Sequence, residues 1–208
     1  MKITLLSDTH GKHAPLKLPK GDLLIHAGDV SNVGRQAELY GFLDWFSKQK
    51  YTYKVFIAGN HDFFFEQAHP RIISQMIPSN VIYLNDSGCE INGLKLWGSP
   101  ITPWFHDWAF NRDRGSEIKQ HWDLIPDNTD ILITHGPPFG ILDMTIRGEH
   151  TGCKELLRKI EHVKPKLHVF GHIHEDYGQE TRGDTIFVNA SVLDSDYQLV
   201  HKPVTLSL

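Results

Sequence analysis

The sequence predicts an α/β fold, and three observations predict it. Eight short apolar runs recur along the 208 residues, each closed by a turn signal, and their length and β-branched or aromatic content suit buried strands. Helix-period segments lie between several of them, the alternation that builds α/β folds. The runs are apolar at successive positions rather than alternate ones, as expected where both faces of a sheet are covered.

In chain order the strand candidates are ITLLSD (3–8), LLIHAGD (23–29), YKVFIAGN (53–60), VIYLND (81–86), LKLWGS (94–99), DILITHG (130–136), KLHVFGH (166–172) and TIFVNAS (185–191). Between the second and third, Leu39, Phe42, Leu43 and Phe46 follow the i, i+3, i+4, i+7 spacing of a helix face. Cys153, Leu156, Leu157 and Ile160 repeat that spacing between the sixth and seventh. Residues 70–77 and 115–125 read as shorter helices, the first opening on Pro70, which the first helical turn tolerates. No repeat, low-complexity tract or Ser/Gly linker divides the chain, so a single domain over residues 1–208 is expected.

With 40% hydrophobic and 22% charged residues the chain has the make-up of a soluble globular protein. A net charge of −4 gives no electrostatic argument for nucleic acid or an anionic membrane as partner. Cys89 and Cys153 lack a metal-type spacing and suit a reducing compartment. The opening MKITLLSDTHGK is too short and too polar for a signal peptide, and no apolar run approaches ~18 residues. A cytoplasmic protein without a membrane partner is therefore expected. The unusual residue is histidine, of which there are fourteen. His13, His69, His121 and His201 stand in polar or turn-like surroundings and are expected at the surface.

Several of the others mark strand ends. Asp8 and His10 follow ITLL, Asp29 follows LLIHAG, Asn60 and His61 follow YKVFIAG, His135 follows DILIT, and His172 and His174 follow KLHVFG. In open α/β sheets the ligand site lies outside the carboxyl ends of the strands, so residues more than a hundred positions apart would converge on one edge. Asp8, His10, Asp29, Asn60, His135, His172 and His174 make seven candidate metal ligands. Seven is too many for one tetrahedral zinc and suits two ions sharing a carboxylate. Mixed oxygen and nitrogen donors without thiolate point to Mn, Fe, Co, Ni or Zn, Mn first, rather than Mg or Ca. Gly28, Gly59 and Gly171 each precede a candidate ligand, where the backbone must turn sharply or a ligand must approach closely. Any one of these words alone is explained by a strand-end turn; four of them at four strand ends point to a site.

The words D-x-H (Asp8, His10), GD (Gly28, Asp29), GNHD (Gly59 to Asp62), THGPP (Thr134 to Pro138) and GHIH (Gly171 to His174) resemble, in this order, the calcineurin-like metallophosphoesterase superfamily. The resemblance runs from residue 3 to about 191. HAGDV, YKVFIAGNHD, TPWFHDWAFNRDRG, TDILITHGPP, KPKLHVFGHIHEDYG and VNAS look like one small subclass, which includes the vertebrate metallophosphoesterase-domain-containing proteins. It implies a two-sheet β-sandwich flanked by helices and a dinuclear centre. Asp8, His10 and His174 would hold the first ion, Asn60, His135 and His172 the second, and Asp29 would bridge them. A hydroxide between the ions would attack in line, with no covalent enzyme intermediate. His61 would protonate the leaving oxygen, a task suited to an imidazole with its ordinary pKa of ~6.5. His172 and His174 would then serve different ions, and Gly171 would let the strand geometry relax.

Departures from the wider superfamily narrow the substrate. Its Ser/Thr protein phosphatases extend the second word to GD-x-VDRG, whereas this chain reads GDVSNVG, with Asn32 in place of the second Asp and no following Arg. His61 is thereby left without the family's usual Asp partner. The segment TPWFHDWAFNRDRG (102–115) carries Trp104, Phe105, Trp108 and Phe110. It reads either as a lid whose aromatics stack on a base, with Asn111 and Arg114 contacting substrate, or as a loop pinned by buried aromatics. Residues 141–150 read as a solvated loop. The expected function is a phosphodiesterase acting on small nucleotide esters such as cyclic nucleotides. The alternatives are a phosphomonoesterase or a nuclease, although an acidic chain lacks the basic track that extended nucleic acid requires. A non-catalytic nucleotide-binding or scaffold protein would show a broken ligand word, and none is broken here.

Overall fold

In the computed structural model, which describes residues 1–208, each of the eight apolar runs contains a strand. The first half of the chain forms β1 (Lys2–Leu6), β2 (Leu23–Ala27), α1 (Gln36–Ser47), β3 (Tyr53–Ile57), α2 (Phe63–Gln67), α3 (Pro70–Met76) and β4 (Ile82–Tyr83). A hairpin of β5 (Ser87–Ile91) and β6 (Leu94–Ser99) follows, then a ribbon of β7 (Thr102–Pro103) and β8 (Asn111–Arg112). The remainder forms α4 (Ser116–Asp123), β9 (Ile131–Thr134), α5 (Lys154–Val163), β10 (Leu167–Phe170), β11 (Gly178–Arg182), β12 (Thr185–Asn189) and β13 (Val204–Ser207).

Two sheets result, in the orders β13-β1-β2-β3-β4 and β11-β12-β10-β9-β6-β5. Their interiors are parallel, and β13, β11 and β5 pair antiparallel as edges. One core lies between the sheets, where Ile3, Leu23, Ile25 and Val55 meet Ile131, Leu167, Val169 and Val188. The other faces of the same strands pack against helices: Leu24 and Phe56 join Phe42 and Phe46 of α1, and Leu132 and Phe170 join Trp122 of α4 and Ile160 of α5. Both faces of each parallel strand are therefore buried, which is why these runs read as continuously apolar. The architecture is the αββα sandwich.

The edges were not legible as strands. β13 alternates half-buried with exposed residues, β11 does so until Arg182 and β5 until Ile91, and none offers an apolar run. The 81–86 run yields only two strand residues, because Asp86 turns away with φ +43°. α2, a single turn of FFFEQ, is too short to show a helical period. Of the four histidines expected at the surface, His69 is exposed and caps α3 by accepting a bond from the Arg71 amide. His121 and His201 are half-buried, the first bonded to Asp86 at 2.6 Å. His13 is buried, its ring 4.9 Å from Trp45 and 5.8 Å from Phe42. The exposed face expected for it is taken by α1 packing.

The sheets come close at Gly98 in β6, where an added Cβ would stand 2.5 Å from Leu84 Cβ and 2.7 Å from Ile57 Cγ2. Both neighbours belong to the inter-sheet core and cannot retreat. Gly98→Val should therefore cost ~1–3 kcal/mol by overpacking, read as a lower urea midpoint at unchanged slope.

Candidate metal centre

The two sheets meet at the ends of their parallel strands. Ser7, just past β1, bridges Ser191, just past β12, and the Ser7 amide donates to the Ala190 carbonyl at 2.8 Å. The turns that follow β1, β2, β3, β9 and β10 are thereby brought to one edge. Asp8, His10 and His174 form one buried group whose ligand atoms lie within 4.8 Å of one another, and Asp8, Asp29 and His135 form another. Asn60 Oδ1 lies 2.9 Å from His135 Nε2, and the His172 ring lies 5.1 Å from that of His135. All seven expected ligands are in this cluster.

Four of the seven, Asp8, His10, Asp29 and His172, have φ between +41° and +69°. Left-handed backbone at non-glycine residues is uncommon, although Asp and His tolerate it better than most, and it costs on the order of 1–3 kcal/mol per residue. The turn after β10 shows how this serves the site. Chain geometry relaxes at His172 itself, not at Gly171 as the motif suggested, and His174 opens a short 3-10 turn. Gly171 answers a different need: a Cβ there would overlap Asp8 Oδ2 and Ser7 Oγ. Gly59 does the same for Asp29 Oδ1. These glycines keep space for the carboxylates.

Backbone groups choose which imidazole nitrogen faces the centre. His135 Nδ1 donates to the Ala27 carbonyl at 3.0 Å and His174 Nδ1 to the Asp194 carbonyl at 3.0 Å. Nε2 is thereby left for a ligand in each case. His135 Nε2 stands 3.3 Å from Asp29 Oδ2, and His174 Nε2 stands 3.5 Å from Asp8 Oδ1. Burial alone would raise the pKa of both carboxylates, but His174 beside Asp8 and His135 beside Asp29 hold them below the ordinary range. Burial likewise opposes charge on His135 and His174, yet Asp29 and Asp8 outweigh it and raise both to about 9. His10 and His172 go the other way, burial pushing them down to about 4 and about 3. Two buried carboxylates thus demand positive charge, and His10 is buried with neither ring nitrogen hydrogen-bonded. Such a donor set fits divalent cations.

His61 stands beside the centre. Its amide donates to Asp29 Oδ1 at 2.8 Å, its ring lies edge-on to His10 at 4.5 Å, and Trp108 stacks on it at 4.1 Å. Its Nδ1 lies 2.7 Å from the Asn32 carbonyl, which can only accept, so Nδ1 carries the proton and Nε2 is left free. A main-chain oxygen of Asn32 thus stands where a partner carboxylate was missing. Asp62 does not orient His61. Its buried carboxylate accepts from the amides of Val30, Ser31 and Gly59 at 2.9–3.1 Å and from Ser31 Oγ at 2.5 Å, so it ties the Asp29 turn to the Asn60 turn.

The seven-residue cluster opens on a cleft of about 300 Å³, whose walls include Phe105, Trp108 and Tyr197 and no Lys or Arg. A side pocket of about 190 Å³, lined by Trp104 and Arg114, shares Phe105, Thr145, His172 and Ile173 with it. The 102–115 segment combines both readings: Phe110 is buried, whereas Trp104 and Phe105 are exposed. Asn111 and Arg114, expected at the substrate, are engaged in bracing loops. Asn111 Nδ2 donates to the Phe105 and His106 carbonyls and its Oδ1 accepts from Thr102. Arg114 donates to the carbonyls of Thr151 and Gly152. The 141–150 loop is tied rather than free, since buried Asp143 accepts from Gly140, Gly152 and His150. Tyr197 carried no sequence signal beyond a turn, yet its left-handed backbone (φ +58°) sets its ring edge-on to His10 and His174.

The sequence profile of calcineurin-like phosphoesterases matches residues 1–176. The chain belongs to this family. Human metallophosphoesterase domain-containing protein 1 is 41% identical, in an alignment covering all of this chain and 71% of that protein. The Caenorhabditis elegans UPF0046 protein T07D4.2 is 35% identical over the whole chain and 60% of its own length. Among solved structures, that of TT1561 from Thermus thermophilus superposes with a TM-score of 0.62 at 16% identity, covering 90% of this chain and 88% of that one. That likeness speaks for the fold alone.

As a calcineurin-like phosphoesterase the chain should depend on the space left at Gly171. Gly171→Ala would displace the Asp8 carboxylate and press on the Ser7 side chain, with the strands themselves left in place. It should weaken Mn²⁺ binding by roughly 10–100-fold with an unchanged far-UV CD spectrum; undiminished binding would contradict the close-approach account.

Proposed function

We propose that this calcineurin-like phosphoesterase is a dinuclear metal phosphodiesterase that hydrolyses small nucleotide phosphodiesters such as cyclic nucleotides. The observation that carries the reading is the convergence of seven oxygen and nitrogen donors from five strand ends, with His61 at their margin. Asp8, His10 and His174 would hold one ion, Asn60, His135 and His172 the other, and Asp29 both; Mn²⁺ is the ion favoured, with Fe, Zn, Co or Ni as alternatives that mixed oxygen and nitrogen donors also accept. When bound, the ions supply Lewis acidity that makes water nucleophilic at neutral pH and offsets charge at phosphorus.

The protein's own groups do the rest. His61, with Nδ1 held on the Asn32 carbonyl, would act in its imidazolium form, giving the Nε2 proton to the leaving oxygen and remaining as the neutral Nδ1–H ring. Trp108 restricts that ring to one plane. A cleft of about 300 Å³ is at the lower end for a small-molecule site and holds no track for several phosphates. Its lack of Lys and Arg favours the singly charged diester over the dianionic monoester. The exposed rings of Trp104 and Phe105 offer faces on which a base can stack, worth ~1–3 kcal/mol. Asn111 and Arg114 shape this wall by holding its loops. The whole chain serves as one domain, and a cytoplasmic setting agrees with two unpaired thiols, Cys89 and Cys153.

A metal-reconstituted panel tests the substrate: 2′,3′- and 3′,5′-cyclic nucleotides, an aryl phosphodiester, its monoester and single-stranded nucleic acid. Cyclic nucleotides should turn over with the highest kcat/KM, and a monoester leading the panel would reject the diester reading. His61→Ala should retain both ions and lose roughly 10²–10⁴-fold in kcat on diesters with poor leaving groups. A much smaller loss on an activated aryl ester should accompany it. Equal losses on both would remove His61 as the acid.

A further inference from the structure

Two fully buried histidines, one in each sheet, take no part in the reading above. His26 lies in β2 and His168 in β10, and both side chains face the helix layers rather than the inter-sheet core. His168 Nε2 lies 2.8 Å from Thr134 Oγ1, which itself donates to the Gly136 carbonyl at 2.7 Å. The hydroxyl has one proton, so it must accept from His168, and Nε2 carries the hydrogen. His26 Nε2 lies 3.0 Å from Thr9 Oγ1, whose other contact is the Val30 carbonyl at 3.5 Å. Both Nδ1 atoms are buried without a partner. Burial pushes both histidines down to about 3, so each is a neutral ring.

This arrangement is costly as packing. His168 is set among Phe170 and Phe187, and His26 among Phe42 and Phe46, where an aliphatic or phenyl side chain would fill the space without an unsatisfied nitrogen. An orphaned buried polar atom is destabilising, and the chain accepts one in each sheet. What the two places share is the threonine. Thr9 stands between Asp8 and His10; Thr134 immediately precedes His135.

We propose that His168 and His26 are positioning residues for the metal centre, each using its Nε2 to fix the hydroxyl of a threonine adjacent in sequence to a candidate ligand. Thr134 is held between His168 and the Gly136 carbonyl, which sets the chain direction at His135. Thr9 is held from beneath between two residues of left-handed backbone, Asp8 and His10, where a free hydroxyl would let the turn relax. The inference rests on the dinuclear reading, and it assigns to these residues metal affinity rather than stability.

Mn²⁺ titration and urea unfolding of the metal-free protein separate the two. His168→Leu and His26→Leu should each unfold at or above the wild-type midpoint, since an orphaned nitrogen is removed, while Mn²⁺ affinity falls roughly 10–100-fold, as for other outer-shell partners. His168→Gln, which can still donate to Thr134, should recover most of that affinity. Thr134→Val should weaken Mn²⁺ binding as His168→Leu does, and the double variant should lose no more than either alone. Should a leucine variant fail to fold, Thr134→Val still decides. Full Mn²⁺ affinity in Thr134→Val or His168→Leu would overturn the proposal, as would an affinity loss that tracks lost stability and is not recovered by glutamine. Wild-type protein that takes up no Mn²⁺ would instead overturn the dinuclear reading itself.

Discussion

Two carboxylates, Asp8 and Asp29, are buried side by side at the sheet edge, and the surrounding structure is organised to keep them ionised there. An uncompensated buried charge is among the most expensive features a protein can carry. Compensation comes from every direction: the His172 amide on Asp8, the His61 amide on Asp29, and the imidazoles of His135 and His174. Without cations both imidazoles take up protons to balance the charge. The same unmet demand for positive charge gives the centre its affinity for metal.

Holding that arrangement requires strain and clamps together. Four of the candidate ligands sit in left-handed backbone, a conformation that relaxes unless its surroundings enforce it. Asp62 enforces it between the turns after β2 and β3. The Ala27 carbonyl enforces it across the sheets through His135. The sheets themselves supply the rigid base, since their parallel strands are buried on both faces and cannot shift singly. Catalytic placement on strand ends is precise for that reason.

The cleft beside the centre has a different character. Its walls include Phe105 and Trp108 of the 102–115 loop and Tyr197, with Phe105 exposed while Trp108 stacks on His61 and Tyr197 packs edge-on to His10 and His174. Asn111 and Arg114 work one step back, holding carbonyls so that the aromatic wall keeps its shape. No Lys or Arg lines the cleft, so its positive charge comes from the centre itself.

The α/β class, the parallel strands and the seven donors were legible because each is a local pattern: an apolar run followed by a short polar word. Edge strands were not, because β5, β11 and β13 pair on one side only and their burial is partial. Nor could local pattern tell His13 from a surface residue, since its burial depends on α1 arriving from residues 36–47. The sequence by itself determined which residue types gather at the strand ends, because strand direction and polarity are written in neighbouring residues. Tertiary structure alone decided that Asn32 supplies a main-chain oxygen to His61, that Gly171 makes room while His172 turns, and that His26 and His168 lie beneath the ligand turns. Each of those facts depends on the distance between two segments remote in sequence, and no single segment carries that information.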